Sequence, residues 1–318
     1  MRNDQKILVA GGNGLIGRAC VKQLHSRGFE NVLSPSRVEL DLTNRENVQK
    51  YFRTHEPETV ILAAGKVGGI LENKQKPIDF LNQNLRISLN IAEAVHNGAC
   101  STAVLFGSSC MYPKECPQPM REEYLSTGPM EPTSLSYAVS KIATLQLGFA
   151  YNQQYSYDKF LCVIPNSAYG PGDNFDPNSG HVLSALIAKF HRGKTESHNT
   201  VNLWGSGKPR REFIFSEDVA DAVIFLLENN YSTVDSPINI GSGADCSIAE
   251  LADKIARTVG FQGSVTWQKD KPDGVMQKLL DSRKIKALGW RNKMTFDEGI
   301  TKTYEWYANQ SFSNDNES

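Results

Sequence analysis

The stretch that decides the fold is ILVAGGNGLIGRACVKQLHSRG, residues 7–28. Its first residues predict a short buried strand, and the residues after the glycines have the spacing of a helix. Gly11, Gly14 and Gly17 lie in the turn between the two, where a missing Cβ lets a pyrophosphate approach the backbone. Free N–H groups at the start of the helix favour phosphate. This context predicts a dinucleotide-binding βα unit.

Apolar runs of similar character recur along the chain and alternate with helical segments. Examples are TVILAAG (59–65), TAVLFGSS (102–109) and FLCVIPNSAYG (160–170), separated by stretches with helical spacing such as Leu81 and Leu85. Nearly continuous apolar strands indicate a parallel sheet covered by helices on both faces. We therefore predict an α/β fold, a Rossmann-type doubly wound parallel sheet with a smaller C-terminal α/β substrate lobe.

The pattern loosens after about residue 170 into a segment rich in Gly, Pro and Asn, which indicates a domain seam. We place a dinucleotide-binding Rossmann domain at residues 1–170 and a substrate lobe at 171–308, partly interwoven with the first. Residues 309–318 form a polar tail that we expect to be disordered.

Composition narrows the possible functions. The 318 residues carry a net charge of −1, so no basic field attracts nucleic acid or anionic lipid. No apolar run reaches membrane-spanning length. Six cysteines are scattered without a CxxC or Cys/His pattern, so we expect neither a metal site nor a disulfide framework. We expect a cytoplasmic protein whose partner is a small molecule.

The end of the second predicted strand indicates which dinucleotide is bound. An NAD enzyme usually has a carboxylate there, but NVLSPSRVELDL (31–42) offers Ser34, Ser36 and Arg37. Arg37 can pair with a 2′-phosphate, which favours NADP(H). Asp41 and Leu42 lie further along, where they can meet the adenine, although Asp41 can equally cap the following helix.

A possible acid-base pair lies in SYAVSKIA, where Tyr137 and Lys141 are four residues apart on a predicted helix. A phenol is a poor catalyst at neutral pH unless a fixed positive charge favours the phenolate. We expect Lys141 and the cofactor to lower the pKa of Tyr137. Ser108, at the end of an intervening strand, completes a candidate catalytic group.

Several sequence blocks together resemble one enzyme family. They are AAGKVGGILENKQKP, GSSCMYPK, PTSLSYAVSKIA, GPGDNFDPNSGHV, WGSGKPRREFIFSEDVA, INIGSGADCSI and KPDGVMQKLLD. These blocks are similar to the GDP-L-fucose synthase family within the extended short-chain dehydrogenase/reductases. The resemblance runs from about residue 6 to 308. It implies NADPH-dependent conversion of GDP-4-keto-6-deoxy-D-mannose by 3,5-epimerisation and then 4-keto reduction.

The resemblance also implies catalytic roles for individual residues. Ser108 and Tyr137 hydrogen-bond the substrate carbonyl, Tyr137 protonates the reduced oxygen, and Lys141 orients the nicotinamide ribose. Cys110 is the base that removes the protons acidified by the ketone. His181 is the acid that returns a proton to the opposite face of the sugar.

Binding residues follow from the same resemblance. The remaining cofactor contacts are Leu15, Ile16, Ala63, Pro165 and Ala168, and Lys141 and His181 contact the cofactor as well. Lys189, Arg211 and Lys278 are expected at the diphosphate, Trp204 at the guanine and ribose, and Asp273 at a further polar contact.

The chain departs from the family pattern at a few positions, and these leave alternatives open. Asn13, Leu15 and Ser167 replace the usual family residues at the cofactor turn and near the sugar. One alternative is a related GDP-sugar or GDP-heptose 4-ketoreductase without full epimerisation. A non-enzymatic NADP-sensing regulator on the same fold is another, although it would be expected to lose the Tyr137 and Lys141 pair. A dehydratase is disfavoured because no carboxylate follows Ser108.

The helices predicted around residues 82–97 and 137–155 are apolar over wide faces. Similar enzymes pair these helices in a four-helix bundle, so the resemblance implies a homodimer.

Overall fold

The computed structural model describes residues 1–177, 179–231, 236–270 and 273–315. The strands in chain order are β1 (Ile7–Ala10), β2 (Val32–Leu33), β3 (Thr59–Leu62), β4 (Thr102–Phe106), β5 (Phe160–Pro165), β6 (Ser167–Tyr169), β7 (Thr200–Trp204), β8 (Arg210–Phe215), β9 (Ile238–Ile240), β10 (Asp245–Ser247), β11 (Ser264–Gln268) and β12 (Gln277–Lys278). The helices are α1 (Leu15–Ser26), α2 (Arg45–His55), α3 (Ile70–Gln75), α4 (Pro77–Asn97), α5 (Leu135–Tyr155), α6 (Val182–Thr195), α7 (Ser216–Glu228), α8 (Ile248–Val259), α9 (Arg283–Ala287) and α10 (Phe296–Asp315).

The main sheet has six parallel strands in the order β2-β1-β3-β4-β5-β9. All residues of β1, β3 and β5 are buried, as their continuous apolar sequences require when helices cover both faces. One face packs on α1 and α7, and the other packs on α2, α4 and α5. The prediction of a Rossmann-type doubly wound α/β fold is confirmed.

The strand order changes direction between β1 and β3. In open parallel sheets, ligands bind outside the carboxyl ends of the strands at such a switch point. The glycine turn after β1 and the polar turn after β4 both lie on this edge, which is where the candidate site is built.

A second lobe forms around β8, which pairs with β10, β12 and β6. A separate apolar cluster, contributed by α6, α8 and α10, fills this lobe. The chain then returns to the first unit, because α7 packs with the apolar cluster of α1 and β9 pairs with β5. The division at residue 171 stays a prediction.

The C-terminal segment differs from its prediction. Helix α10 continues to Asp315, so the backbone of residues 309–315 is helical where a disordered tail was predicted. The helix is held by its buried residues Ile300 and Thr303, and it continues into the polar residues that follow. Residues 316–318 of that predicted tail lie outside the described residues. None of the described helices is long and apolar enough to cross a bilayer.

Candidate active site

The turn after β1 is shaped for close approach of a ligand. Gly11 has a φ of +88°, and a Cβ there would lie 2.6 Å from the backbone nitrogen of Ala64. A Cβ on Gly17 would lie 2.1 Å from the carbonyl oxygen of Gly11. Both positions therefore require glycine, one for its backbone conformation and one for helix-to-strand packing.

The first turn of α1 is available to an anion. Gly14 is the N-cap and supplies no side-chain hydrogen bond, and no acidic residue lies in the first turn, which begins with Leu15 and Ile16. The N–H groups of a helix start then remain free to bind phosphate. Ala63 follows β3, next to the Ala64 backbone that Gly11 approaches.

The loop after β2 presents Arg37 to solvent. The loop is held by a reciprocal pair of hydrogen bonds between Ser36 and Glu39, one from each backbone N–H to the other side chain. Ser34 lies beside Gly12, where an added Cβ would meet its hydroxyl. An exposed guanidinium next to small hydroxyl residues suits a phosphate on a ribose.

Asp41 does not cap the following helix. The N-cap of α2 is Asn44, whose side chain accepts the N–H of Asn47 at 3.0 Å. The carboxylate of Asp41 instead accepts the backbone N–H and the hydroxyl of Thr43, and these bonds lower its pKa. The capping alternative is wrong because Asn44, rather than Asp41, is in register with the first helical turn. Neighbouring Leu42 packs against the apolar cluster beneath the sheet.

The turn after β4 places the serine and cysteine of the site. Ser108 is the N-cap of a short 3₁₀ helix, Ser109–Met111, and its hydroxyl accepts the N–H of Cys110 at 3.3 Å. Ser108 and Cys110 therefore lie together at the carboxyl edge of the sheet. Pro165, at the end of β5, and Ala168, in β6, lie on the same side of the molecule.

Tyr137 and Lys141 lie one turn apart on α5, as the spacing predicts. The Lys141 nitrogen is 5.9 Å from the centre of the Tyr137 ring. The hydroxyl of Ser108 faces the phenol closely enough to act on its pKa. Phe80 of α4 packs edge-on against the same ring, with centroids 6.2 Å apart.

The pKa of Tyr137 is raised in the structure, so the lowering that we expect from Lys141 together with the cofactor stays a prediction. Burial and the negative charge of Cys110 raise the pKa of Tyr137, and the hydrogen bond from Ser108 offsets only part of this. Burial also lowers the pKa of Lys141 to about 8. The phenol is therefore held in its protonated form, which suits a proton donor.

Cys110 lies in a cationic environment. Burial alone would raise the pKa of its thiol, yet the charge of Lys278 and hydrogen bonds from Ser108, Lys278 and Ser134 together lower that pKa below its ordinary value. The Lys278 ammonium donates to the Cys110 sulfur at 3.6 Å. The resemblance places Lys278 at the diphosphate, but in the structure its ammonium lies at the thiol. The residue is positioned there because β12 pairs with β8, with Lys278 opposite Arg211.

His181 lies at the N-cap of α6 with an exposed side chain. Among the hydrogen bonds of the described residues, none joins the His181 side chain to Cys110 or Tyr137. The segment before it is fixed to the loop after β3, because Gly69 donates its N–H to the carbonyl of Ser179 at 3.1 Å. Burial raises the pKa of nearby Asp173, although a hydrogen bond from Ser184 and the proximity of His181 favour its charged form.

The second lobe brings together some of the expected nucleotide contacts. The Lys189 nitrogen lies 5.8 Å from the centre of the Trp204 ring, and burial lowers the pKa of Lys189. Trp204 is 61% exposed, so a flat apolar surface is open to a ligand. Asp273 accepts both the N–H and the hydroxyl of Ser206, and these bonds lower its pKa and fix the loop that follows Trp204.

Two residues of the site were missed by the sequence reasoning. Ser134 lies beside the Cys110 thiol, and its place in PTSLSYAVSK, three residues before Tyr137, was a usable signal. Glu212 is fully buried and accepts hydrogen bonds from Asn166, from Gly243 and from the N–H of Leu280. A carboxylate directly before the apolar residues of β8 was its signal.

The arrangement combines a base and an acid on one small surface. Cys110 has a lowered pKa and Tyr137 a raised one, and the Ser108 hydroxyl faces both groups. Two neighbouring groups whose pKa values are shifted in opposite directions are typical of acid-base catalysis. Such a surface can polarise a carbonyl, remove an adjacent proton and protonate the oxygen after reduction.

Comparisons with known proteins agree with this geometry. Residues 7–241 match the model of the NAD dependent epimerase/dehydratase family. A rice (Oryza sativa subsp. japonica) protein named "Probable GDP-L-fucose synthase 1" is 44% identical over 309 residues, 97% of this chain and 93% of that protein.

Two solved structures are similar over nearly the whole chain. A GDP-L-fucose synthetase from Naegleria fowleri bound to NADP has a TM-score of 0.90 at 26% identity, and covers 98% of this chain and 95% of its own. A GDP-6-OMe-4-keto-L-xylo-heptose reductase from C. jejuni has a TM-score of 0.90 at 35% identity, with 98% and 99% covered.

Proposed function

Because this chain belongs to the NAD dependent epimerase/dehydratase family, we propose that it is a GDP-L-fucose synthase. It converts GDP-4-keto-6-deoxy-D-mannose to GDP-L-fucose by epimerisation at C3 and C5 and then by reduction of the C4 ketone. The cofactor is NADP(H).

The observation that carries this function is the environment shared by Cys110 and Tyr137. The Ser108 hydroxyl faces both side chains, the thiol has a lowered pKa, and the phenol has a raised one. A simple ketoreductase needs the phenol and the serine but has no use for a basic thiol beside them. An epimerase-reductase uses all three groups around one carbonyl.

Epimerisation begins with the ketone held by the hydroxyls of Ser108 and Tyr137. These donors polarise the carbonyl, so that the carbon-bound protons at C3 and C5 become acidic. The Cys110 thiolate takes one of these protons: the C–H bond breaks, an S–H bond forms, and the electron pair moves to the ketone oxygen. His181, from the opposite lobe, returns a proton to the other face of the carbon.

Reduction then uses the same carbonyl. The glycine turn, the uncapped start of α1 and the exposed Arg37 fit NADP(H). Lys141, one helical turn from Tyr137, would hold the nicotinamide ribose. When bound, NADPH supplies the hydride to C4. Tyr137 donates its proton to the oxygen as the carbonyl is reduced, which is consistent with its raised pKa.

The second lobe holds the nucleotide. Lys189 and Arg211 are half-buried cations, and burial lowers the pKa of each. A partly buried cation is stabilised by an anion beside it, so a diphosphate bound by these side chains would stabilise both. The exposed indole of Trp204 gives the base or ribose a flat surface.

A second candidate is a GDP-heptose 4-ketoreductase, which the similarity to the C. jejuni heptose reductase favours. Such an enzyme would share Ser108, Tyr137 and Lys141. Product configuration separates the two, because a simple reductase leaves C3 and C5 unchanged.

We also propose a homodimer formed through α4 and α5. These helices expose large apolar side chains: Ile78, Leu89, Leu135, Val139 and Tyr155. Leu89→Glu should convert the dimer to a monomer in light scattering, whereas Val38→Glu, on the exposed loop after β2 and outside these two helices, should not. A dimer that survives Leu89→Glu would contradict this interface. We propose that the protein resides in the cytoplasm, where its cysteine thiols would stay reduced.

The function is tested by following NADPH absorbance at 340 nm with GDP-4-keto-6-deoxymannose. We expect NADPH oxidation that requires the GDP-sugar. Absence of oxidation with GDP-4-keto sugars would overturn the proposal and favour a non-enzymatic NADP-binding role.

A further inference from the structure

Lys278 of the second lobe is in direct contact with the thiol of Cys110. The ammonium of Lys278 donates to the sulfur of Cys110 at 3.6 Å, the range of a hydrogen bond to sulfur. We infer that Lys278 is a positioning residue that holds the Cys110 thiolate during epimerisation. This inference rests on the proposed function and deepens it.

Lys278 is placed by backbone bonds rather than by a flexible loop. Strand β12 pairs in parallel with β8, with Lys278 opposite Arg211. The buried Glu212 carboxylate accepts the N–H of Leu280 at 2.9 Å, two residues further on. The backbone that carries the Lys278 side chain is therefore held in place by hydrogen bonds, and no ligand is needed to bring the ammonium to the thiol.

The segment that follows Cys110 is hydrogen-bonded to the segment that follows Lys278. Met120 lies in the segment between Cys110 and α5, and its N–H donates to the carbonyl of Leu279 at 2.7 Å. The N–H of Asp281 donates back to the carbonyl of Met120 at 2.8 Å. Both residues of the contact thus belong to one hydrogen-bonded unit that joins the two lobes.

The charged and titratable groups that face the thiol come from different elements. Lys278 comes from β12, Arg211 from β8 and Tyr137 from α5. The Arg211 guanidinium donates one N–H to the carbonyl of Arg210 at 2.7 Å, and burial lowers the pKa of Arg211. Of these charged groups, Lys278 makes the direct hydrogen bond to sulfur, and its charge favours the thiolate more than any other group does.

This placement divides the work of the cationic residues. If the ammonium of Lys278 stays at sulfur, Lys189 and Arg211 carry the diphosphate. Loss of Lys278 should then damage proton abstraction at the sugar and leave nucleotide affinity largely intact. A lysine that bound the diphosphate would give the opposite pattern.

The test measures the reactivity of Cys110 in the full chain without substrate. Iodoacetamide labelling is followed across pH, and mass spectrometry assigns the label to Cys110. We expect Lys278→Met to raise the apparent pKa of Cys110 by at least one unit, which slows labelling at pH 7 about tenfold. Lys278→Arg should restore most of the labelling rate, and the matched surface variant Lys208→Met should behave like the wild type.

A second set of readouts uses the GDP-4-keto sugar. For Lys278→Met we expect solvent deuterium exchange at C3 and C5 to fall at least tenfold, with KM changed by less than about threefold. A tenfold rise in KM with an unchanged labelling profile would overturn the inference and return Lys278 to the diphosphate.

The two claims fail in distinguishable ways. If the wild type does not turn over GDP-4-keto sugars but its thiol reactivity still depends on Lys278, the proposed function fails and the contact stands. NADPH binding and thermal melting report whether each variant folds. If Lys278→Met is unfolded, Lys278→Gln carries the same test, and an unchanged labelling profile in that variant would overturn the inference.

Discussion

The ammonium nitrogen of Lys278 lies 3.6 Å from the sulfur of Cys110, although 168 positions separate the two residues in the chain. Cys110 belongs to the turn after β4 of the main sheet, and Lys278 belongs to β12, an edge strand of the second lobe. Both lobes therefore contribute to the surroundings of the thiol that we propose as the epimerisation base.

Cys110→Ser should stop epimerisation while leaving the reduction machinery in place. A serine hydroxyl has a far higher pKa than a thiol, so solvent deuterium exchange at C3 and C5 should fall at least about a hundredfold. NMR of the substrate in D2O measures this directly. Exchange at the wild-type rate in Cys110→Ser would refute the role of the thiol.

Tyr137→Phe should have the reverse effect. Without the phenol the reduced oxygen has no proton donor, and we expect the rate of NADPH oxidation to fall about 10²- to 10⁴-fold. Deuterium should still enter C3 and C5, because Cys110 and Ser108 remain. If NADPH oxidation is unaffected, Tyr137 is not the proton donor.

Arg37→Ala should change the choice of cofactor. A charge-assisted bond to the 2′-phosphate contributes about 1.5 to 3 kcal/mol, so the KM for NADPH should rise about ten- to hundredfold. The KM for NADH should change little. Arg53→Ala, an exposed arginine on the adjacent helix, is the control. Equal effects on both cofactors would show that Arg37 does not read the phosphate.

Lys141 should leave a signature in the pH dependence of stability. Burial lowers its folded pKa to about 8, below the value of about 10.4 in an unfolded chain. Between these values the unfolded chain binds more protons, so the free energy of unfolding rises with pH across this window. Relative to Lys141→Met, the cofactor-free wild type should gain about 3 kcal/mol from pH 7 to 10.5.

Denaturant unfolding of both proteins across this pH range makes the measurement. Tyrosines and other lysines titrate in both proteins, so their effects cancel in the difference. Parallel pH profiles would mean that Lys141 is not desolvated in the folded protein.

The sequence predicted the main sheet because its signals are local. Nearly continuous apolar runs are typical of the inner strands of a covered parallel sheet. Gly11 and Gly17 occupy positions where a Cβ collides with backbone. The placement of Tyr137 and Lys141 one turn apart on the same helix followed from the helical period alone. These features needed no knowledge of distant contacts.

Other features could not be predicted because they depend on distant pairing. The position of Lys278 is set by the register of β12 against β8, and by the bonds of Met120 to Leu279 and Asp281. The sign of the Tyr137 pKa shift depends on burial and on the charge of Cys110, not on the spacing to Lys141. Neither register nor burial is written in the local sequence.

The central claim is that the groups around Cys110 and Tyr137 act on one ketone. They first epimerise the carbons on either side of it, C3 and C5, and then take part in its reduction. This claim is tested most directly by incubating the protein with NADPH and GDP-4-keto-6-deoxymannose in D2O and determining the product by NMR. We predict GDP-L-fucose with deuterium at both C3 and C5. A reduced GDP-sugar that keeps the starting configuration and carries no deuterium at those carbons would contradict the account.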